Sequence, residues 1–331
     1  MHKHHLLAGT RGLLYAFTCG VLLAHPAANA DAKLSPSRNF YVSDTTPAGA
    51  TPHFPGFDRV TGNVLVSNVS LGTVSEIKLG KGVVRTFRAQ VQPHTVKVDA
   101  LARKAYVTNK GSNTVSVLNL RSGTTLTNFS VGANPHGLAI DRSRNRLYVT
   151  SIDLNQLEVY DLNTYKQIAI IPVGLGPWGV DARGDLVVTT DTGGNTIHII
   201  DADTLQVSDV IEVGNYPWNP SIGDGGTIYV TVQSTGEVVA VEAGEIVWRT
   251  AVGAKPLGIV SDESRDVVLA QVSTSNQVAV IAARTGRLLQ LVDVAAQPAG
   301  IDYDVATGRA FSADQGGGVV STLTPVRQRR H

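Results

Sequence analysis

Residues 132–151 read GANPHGLAIDRSRNRLYVTS, and the chain repeats their pattern. Pro135-His136-Gly137 is a turn signal. It is followed by a short apolar run, a polar turn, and the strand-like Leu147-Tyr148-Val149-Thr150. The same order recurs without a gap in TPHFPGFDRVTGNVLVSN at 51–68 and in QPHTVKVDALARKAYVTN at 92–109. Working outward, the marking prolines stand at 52, 93, 135, 177, 217, 256 and 298, in steps of 41, 42, 42, 40, 39 and 42 residues.

Each unit holds four short runs rich in Val, Ile, Tyr and Thr, separated by Asn, Asp and Gly. In the unit at Pro135 these are GLAID, RLYVTS, LEVYDL and QIAIIPVG. No segment carries a sustained helical apolar period. Four strands per unit at about 40 residues is the signature of a propeller blade. The expected fold is therefore all-β: a seven-bladed β-propeller of four-stranded antiparallel blades, forming one domain over residues 31–331. The last unit lacks a fourth strand, while NFYVSD at 39–44 precedes the first proline unmatched. That stretch is expected to complete the last blade, so that the ring closes by pairing its own two ends and leaves no open sheet edge there.

The composition agrees with this reading. The chain of 331 residues is 43% hydrophobic, enough for a core, and its 33 Gly and 14 Pro suit many turns. Residues 1–30 form a weakly basic start, an apolar run from Leu13 to Ala24, and small residues ending at Ala28-Asn29-Ala30. This is the three-part pattern of a secretory signal peptide, with cleavage expected after about Ala30 and a periplasmic destination. Its removal takes away Lys3, Arg11 and the one cysteine, Cys19. The remaining body is near neutral and has no broad basic footprint for nucleic acid. Without cysteine it has no disulfide, thiolate metal site or covalently attached haem. The RQRRH ending at 327–331 makes a basic tail from about 325. No phosphate loop, His-Glu-x-x-His or Gly-x-Ser-x-Gly motif is present.

AYVTNKGSNTVSVLNL at 105–120 contains the literal Tyr106-Val107-Thr108-Asn109, with degenerate versions LVSN, YVTS, VTTD, VLAQ and FSAD in other units. Over roughly residues 39–324 the chain resembles the YVTN-repeat β-propeller family, which includes YncE-like exported bacterial proteins. The resemblance implies a seven-bladed propeller of the cell envelope, often with no assigned reaction.

Two loop sets are expected to share one end of the central channel. The residues after the seven prolines are His53, His94, His136, Trp178, Trp218, Leu257 and Ala299. Three of the five histidines outside the leader thus occupy one equivalent position in successive blades. Three neutral imidazoles are a known arrangement for zinc, and imidazole suits copper, so His53, His94 and His136 are the candidate metal ligands. Duplication of one ancestral unit also explains shared histidines without shared use. Trp178 and Trp218 make the same rim aromatic and are candidate ligand contacts. The second set, at the ends of the second strands, is Asn68, Asn109, Ser151, Asp191, Gln271 and Asp314. Of these Asn109, Asp191 and Asp314 join the candidate binding rim. The turns carrying Arg103, Arg142 and Arg144 on the other face read as solvated.

Three function classes follow. The first is a non-enzymatic binding or scaffold protein for a small ligand, a peptide or an envelope protein. In that class, stacking of single-stranded nucleic acid on the tryptophans is a minor variant without a basic groove beside it. The second is a copper- or zinc-binding protein. The third is a propeller-type hydrolase or lactonase, for which the strand ends bring few carboxylates to the channel. No membrane span is expected after leader removal, and the propeller is expected to act as a monomer.

Overall fold

A computed structural model describes residues 38–326. The expected signal peptide at 1–30 and the tail residues 327–331 lie outside them. Among the described residues there are seven four-stranded antiparallel sheets and two single-turn 3-10 segments. No helix among them is long and apolar enough to cross a membrane. The chain is a seven-bladed β-propeller.

Each blade begins with one of the seven prolines. The innermost strands are Pro52–Asp58, Pro93–Asp99, Pro135–Asp141, Pro177–Arg183, Pro217–Ile222, Pro256–Asp262 and Pro298–Asp304. Proline suits the first position because it donates nothing to the ladder. Directly after it the inner strand slips register against its neighbour, as between Pro135 and Leu138, and in blade 1 one residue later, between His53 and Gly56. This bulge turns the residue after the proline towards the channel.

The core lies between blades. Seven apolar clusters occupy the seven seams; one joins Leu65, Val74 and Phe87 of blade 1 to Val96, Val107 and Leu118 of blade 2. The last blade closes as expected. A strand at Phe40–Pro47, longer than the 39–44 stretch, pairs antiparallel with Val319–Pro325. Gln290 of blade 6 also grips Phe40 through its backbone N–H and C=O, both at 2.9 Å.

The face opposite the prolines corrects one expectation. Arg103 is buried, and its guanidinium lies 2.6 Å from both carboxylate oxygens of Asp58 in the previous blade. Arg142 reaches Asp99 at 2.8 Å, and Arg144 reaches Asp185 and Asp203 of the next blade at 2.8 and 2.6 Å. These arginines clamp neighbouring blades together, because the turn of one blade meets the acidic strand end of another.

Candidate binding site at the channel mouth

The collar residues are placed by a repeated hydroxyl. The next-to-last residue of the second strand points at the following blade and donates to the backbone carbonyl of its post-proline residue. Ser67 donates to His94 O at 2.5 Å, Thr108 to His136 O at 2.9 Å, Thr150 to Trp178 O at 2.9 Å, and Thr190 to Trp218 O at 2.6 Å. Thr231 holds Leu257 O at 2.7 Å, and Gln271 reaches Gly300 O at 2.9 Å. The threonine oxygens also accept the N–H exposed by the bulge, as from Gly137 to Thr150 at 2.7 Å and Gly179 to Thr190 at 3.0 Å. A hydroxyl does both because it is donor and acceptor at once. Thr108 is the threonine of the Tyr-Val-Thr-Asn motif, so the motif's third letter positions the collar.

Held this way, the rings form a continuous arc around the mouth. Ring centroids lie 4.3 Å apart from His53 to His94, 4.0 Å from His94 to His136, 3.8 Å from His136 to Trp178, and 4.0 Å from Trp178 to Trp218. Successive rings are tilted by 36° to 56°. Tyr216 extends the arc behind Trp218, and the Lys110 ammonium lies 5.0 Å from the centre of the Trp178 ring. Phe54 stands against the histidines, 5.0, 5.2 and 5.8 Å from His53, His94 and His136. Its backbone fits there because residue 300 is glycine: a Cβ on Gly300 would come 2.6 Å from Phe54 Cα.

The collar is uncharged at neutral pH. Burial first, then the nearby Lys110 cation, lowers the His53 imidazole to about 4. His94 and His136 are pushed well below the ordinary histidine value, burial again being the largest cause. His136 Nδ1 donates to Trp178 O at 3.1 Å, which leaves its Nε2 as the ring's acceptor. Nine buried side-chain polar atoms among the described residues make no hydrogen bond, and four belong to this arc: His53 Nδ1, His94 Nδ1, His136 Nε2 and Trp178 Nε1. Unsatisfied buried groups are few in native folds, so their concentration in one place marks the collar out. Among the described residues no group of three or more His, Cys, Asp or Glu converges as a metal set.

The second loop set is held within its own blades. Asn109, Asp191 and Asp314 are each 0% exposed. Each is the last residue of its second strand and turns into its own blade to meet the residue seven positions on. Asn109 donates to Ser116 at 2.9 Å, Asp191 takes His198 Nδ1 at 2.6 Å, and Asp314 accepts from Ser321. Asn68 with Ser75 and Ser151 with Glu158 repeat the arrangement. These residues staple their own blades. Gln271 is not their equivalent either: Pro256 pairs with Val272, so Gln271 falls one residue earlier, in the threonine series.

No known protein family matches the chain, and no curated protein matches it. Among solved structures, Kuenenia stuttgartiensis hydrazine synthase is similar, with a TM-score of 0.75 over 85% of this chain and 96% of that one, at 18% sequence identity. At that identity the likeness concerns the propeller fold alone.

Proposed function

We propose that this chain is an exported, YVTN-repeat-like propeller that works in the periplasm as a non-enzymatic recognition module through its aromatic collar. The Tyr106–Asn109 motif and the leader-like residues 1–30 support the family and the export. The observation that carries the binding role is the arc itself: five contiguous rings with four unpartnered buried polar atoms and Lys110 beside them. Such a surface suits a flat ligand or aromatic side chain that brings its own hydrogen-bonding groups. Heteroaromatic small molecules, short aromatic peptides and single-stranded oligonucleotides should be titrated against tryptophan fluorescence and melting temperature. A ligand of this class raises the melting temperature, and Trp178→Ala abolishes the shift. Silence across all three classes would remove the reading.

Two other readings have their own tests. The unpartnered nitrogens of His53, His94 and His136 favour a zinc or copper ion. Elemental analysis of the purified protein, repeated with His94→Ala, decides it. A panel of lactones and esters tests the hydrolase reading.

A further inference from the structure

The face that carries the collar is apolar on one side. Its loops are those that join second to third strands and those that lead into each proline. Five large apolar side chains on these loops stand exposed: Leu71, Val91, Leu154, Leu175 and Tyr216, at 48% to 61%. All five belong to blades 1, 3 and 4, and the same loops of blades 5 to 7 hold none among the described residues. Duplication of one unit does not produce such a bias. Exposed apolar residues gathered in one sector mark an interaction surface. The aromatic arc starts in this sector, at His53 of blade 1.

At blade 1 the surface is hollowed. A groove of about 730 Å³ lies between residues 69–72, the chain leading into Pro93, and Gln315 of blade 7. That is the size of a ligand cleft. Leu71 and Val91 give it apolar walls. Gln90, Gln92 and Gln315 also line it, and their side-chain amides make no hydrogen bond among the described residues. A primary amide offers both donor and acceptor, the complement of a peptide backbone. Arg88 is the one charged residue of the lining, and its exposed guanidinium has no ion pair among the described residues.

The groove runs into the collar. Val91 O accepts Gly111 N at 3.1 Å, and Gln92 O accepts Lys110 N at 3.0 Å. The Lys110 ammonium in turn lies 5.0 Å from the centre of the Trp178 ring. Lys110 forms no ion pair within the described residues either; Asp153, which acts on it from a distance, is held by Asn134 at 3.0 Å. Two unpaired cations thus flank an apolar groove that no carboxylate lines, and the complementary partner is negative.

We propose that the ligand of the collar is an acidic peptide segment of another protein, which rests on the recognition role given to the collar above. The segment lays aliphatic side chains between Leu71 and Val91, meets Arg88 and Lys110 with carboxylates, and seats one aromatic ring on the arc beside Trp178. A flat molecule on the arc alone would leave the groove and Arg88 bare. Single-stranded nucleic acid fits less well, because two cations are few for a phosphate backbone and the walls between them are aliphatic.

Selection from a phage-displayed library of random linear dodecapeptides on the purified protein tests this. Acidic sequences holding an aromatic and aliphatic residues are expected. The tightest of them, synthesised with a fluorescein label, is then titrated by anisotropy. Arg88→Glu, and Leu71→Ser combined with Val91→Ser, should each weaken it by about tenfold or more. Lys255→Glu, on the same face at the entry to blade 6, should leave it unchanged. All four side chains are exposed, so these variants keep the fold. Recovery of no peptide, or of basic ones, overturns the proposal. So does a peptide that binds the groove variants as tightly as the native chain, or a thymidylate dodecamer that binds more tightly than any selected peptide. Trp178→Ala separates the two claims. If a heteroaromatic molecule binds and is lost on Trp178→Ala while no peptide binds, the peptide proposal fails and the collar keeps its role. If the peptide survives Trp178→Ala and is lost in the groove variants, the groove stands and the collar reading fails.

Discussion

At the scale of single residues, pH separates two kinds of buried group. Histidines of the collar have folded values below their unfolded 6.5, about 4 for His53 and lower in direction for His94 and His136. The unfolded chain therefore binds more protons as pH drops below 6.5, and stability falls from there towards pH 4. Melting temperature should decline over that window, and less steeply in His94→Phe, which keeps a buried ring but has nothing to protonate. A flat profile, or an unchanged slope in the variant, would count against neutral burial of the collar. Asp314 acts in the opposite sense. Burial raises its carboxyl to about 6, against hydrogen bonds from Ser312, Ser321 and Ala295 N. The folded state then holds its proton more tightly than the unfolded one, and the relative advantage present below pH 4 is lost as pH rises through 6. Asp314→Asn copies the Asn109–Ser116 pair already used in blade 2. It should stabilise the protein at pH 7.5 by on the order of 1 to 2 kcal/mol and change little at pH 4, as read from denaturant unfolding at the two pH values.

At the scale of the element, the inner strand depends on its bulge and on what the bulge admits. Gly137 follows His136, and a Cβ there would lie 2.8 Å from Trp178 O and 3.0 Å from Val180 N. Both are backbone atoms of the next inner strand and neither can swing away. Gly137→Ala should cost about 1 to 3 kcal/mol, the usual range for overpacking, and should change tryptophan emission by shifting Trp178. Calorimetry and fluorescence of that variant check both. The same strands explain what could be read from sequence. Proline spacing and the run of residues after each proline carried the blade count, the closing strand and the composition of the collar. They did not carry the facing of the second-strand ends. Side chains alternate along a strand, so one position separates Thr108, which holds the neighbouring blade, from Asn109, which staples its own. An alignment of units shows that both recur and gives no sign of which faces the mouth. The ion pair between Arg103 and Asp58 spans 45 residues, and Phe54 reaches the channel only because of Gly300; neither pairing leaves a local signal.

At the scale of the whole molecule, a ring has a requirement that a linear repeat array lacks: its two ends must meet. Six blades are each built from one continuous stretch of chain, while the seventh takes three strands from the C-terminal part and one from Phe40–Pro47. That strand covers the edge at Val319–Pro325 and packs Phe40, 1% exposed, into the cluster between blades 6 and 7. The seam between blades 7 and 1 likewise joins residues far apart in sequence, Val64 and Val66 with Phe311 and Val320. Truncating a buried phenylalanine typically costs about 3 to 5 kcal/mol. For a domain of this size each kcal/mol lowers the melting temperature by about 2 to 4 °C. Phe40→Ala should therefore lower it by on the order of 10 °C. Removing residues 38–47 should do more, since it also exposes an unpaired edge, and should bring concentration-dependent association through that edge. Sizing and calorimetry of the two variants test the closure. If the truncated chain melts as the intact one does and keeps the intact chain's size in solution, the strand is an ornament of the last blade and the ring is held by its seams alone.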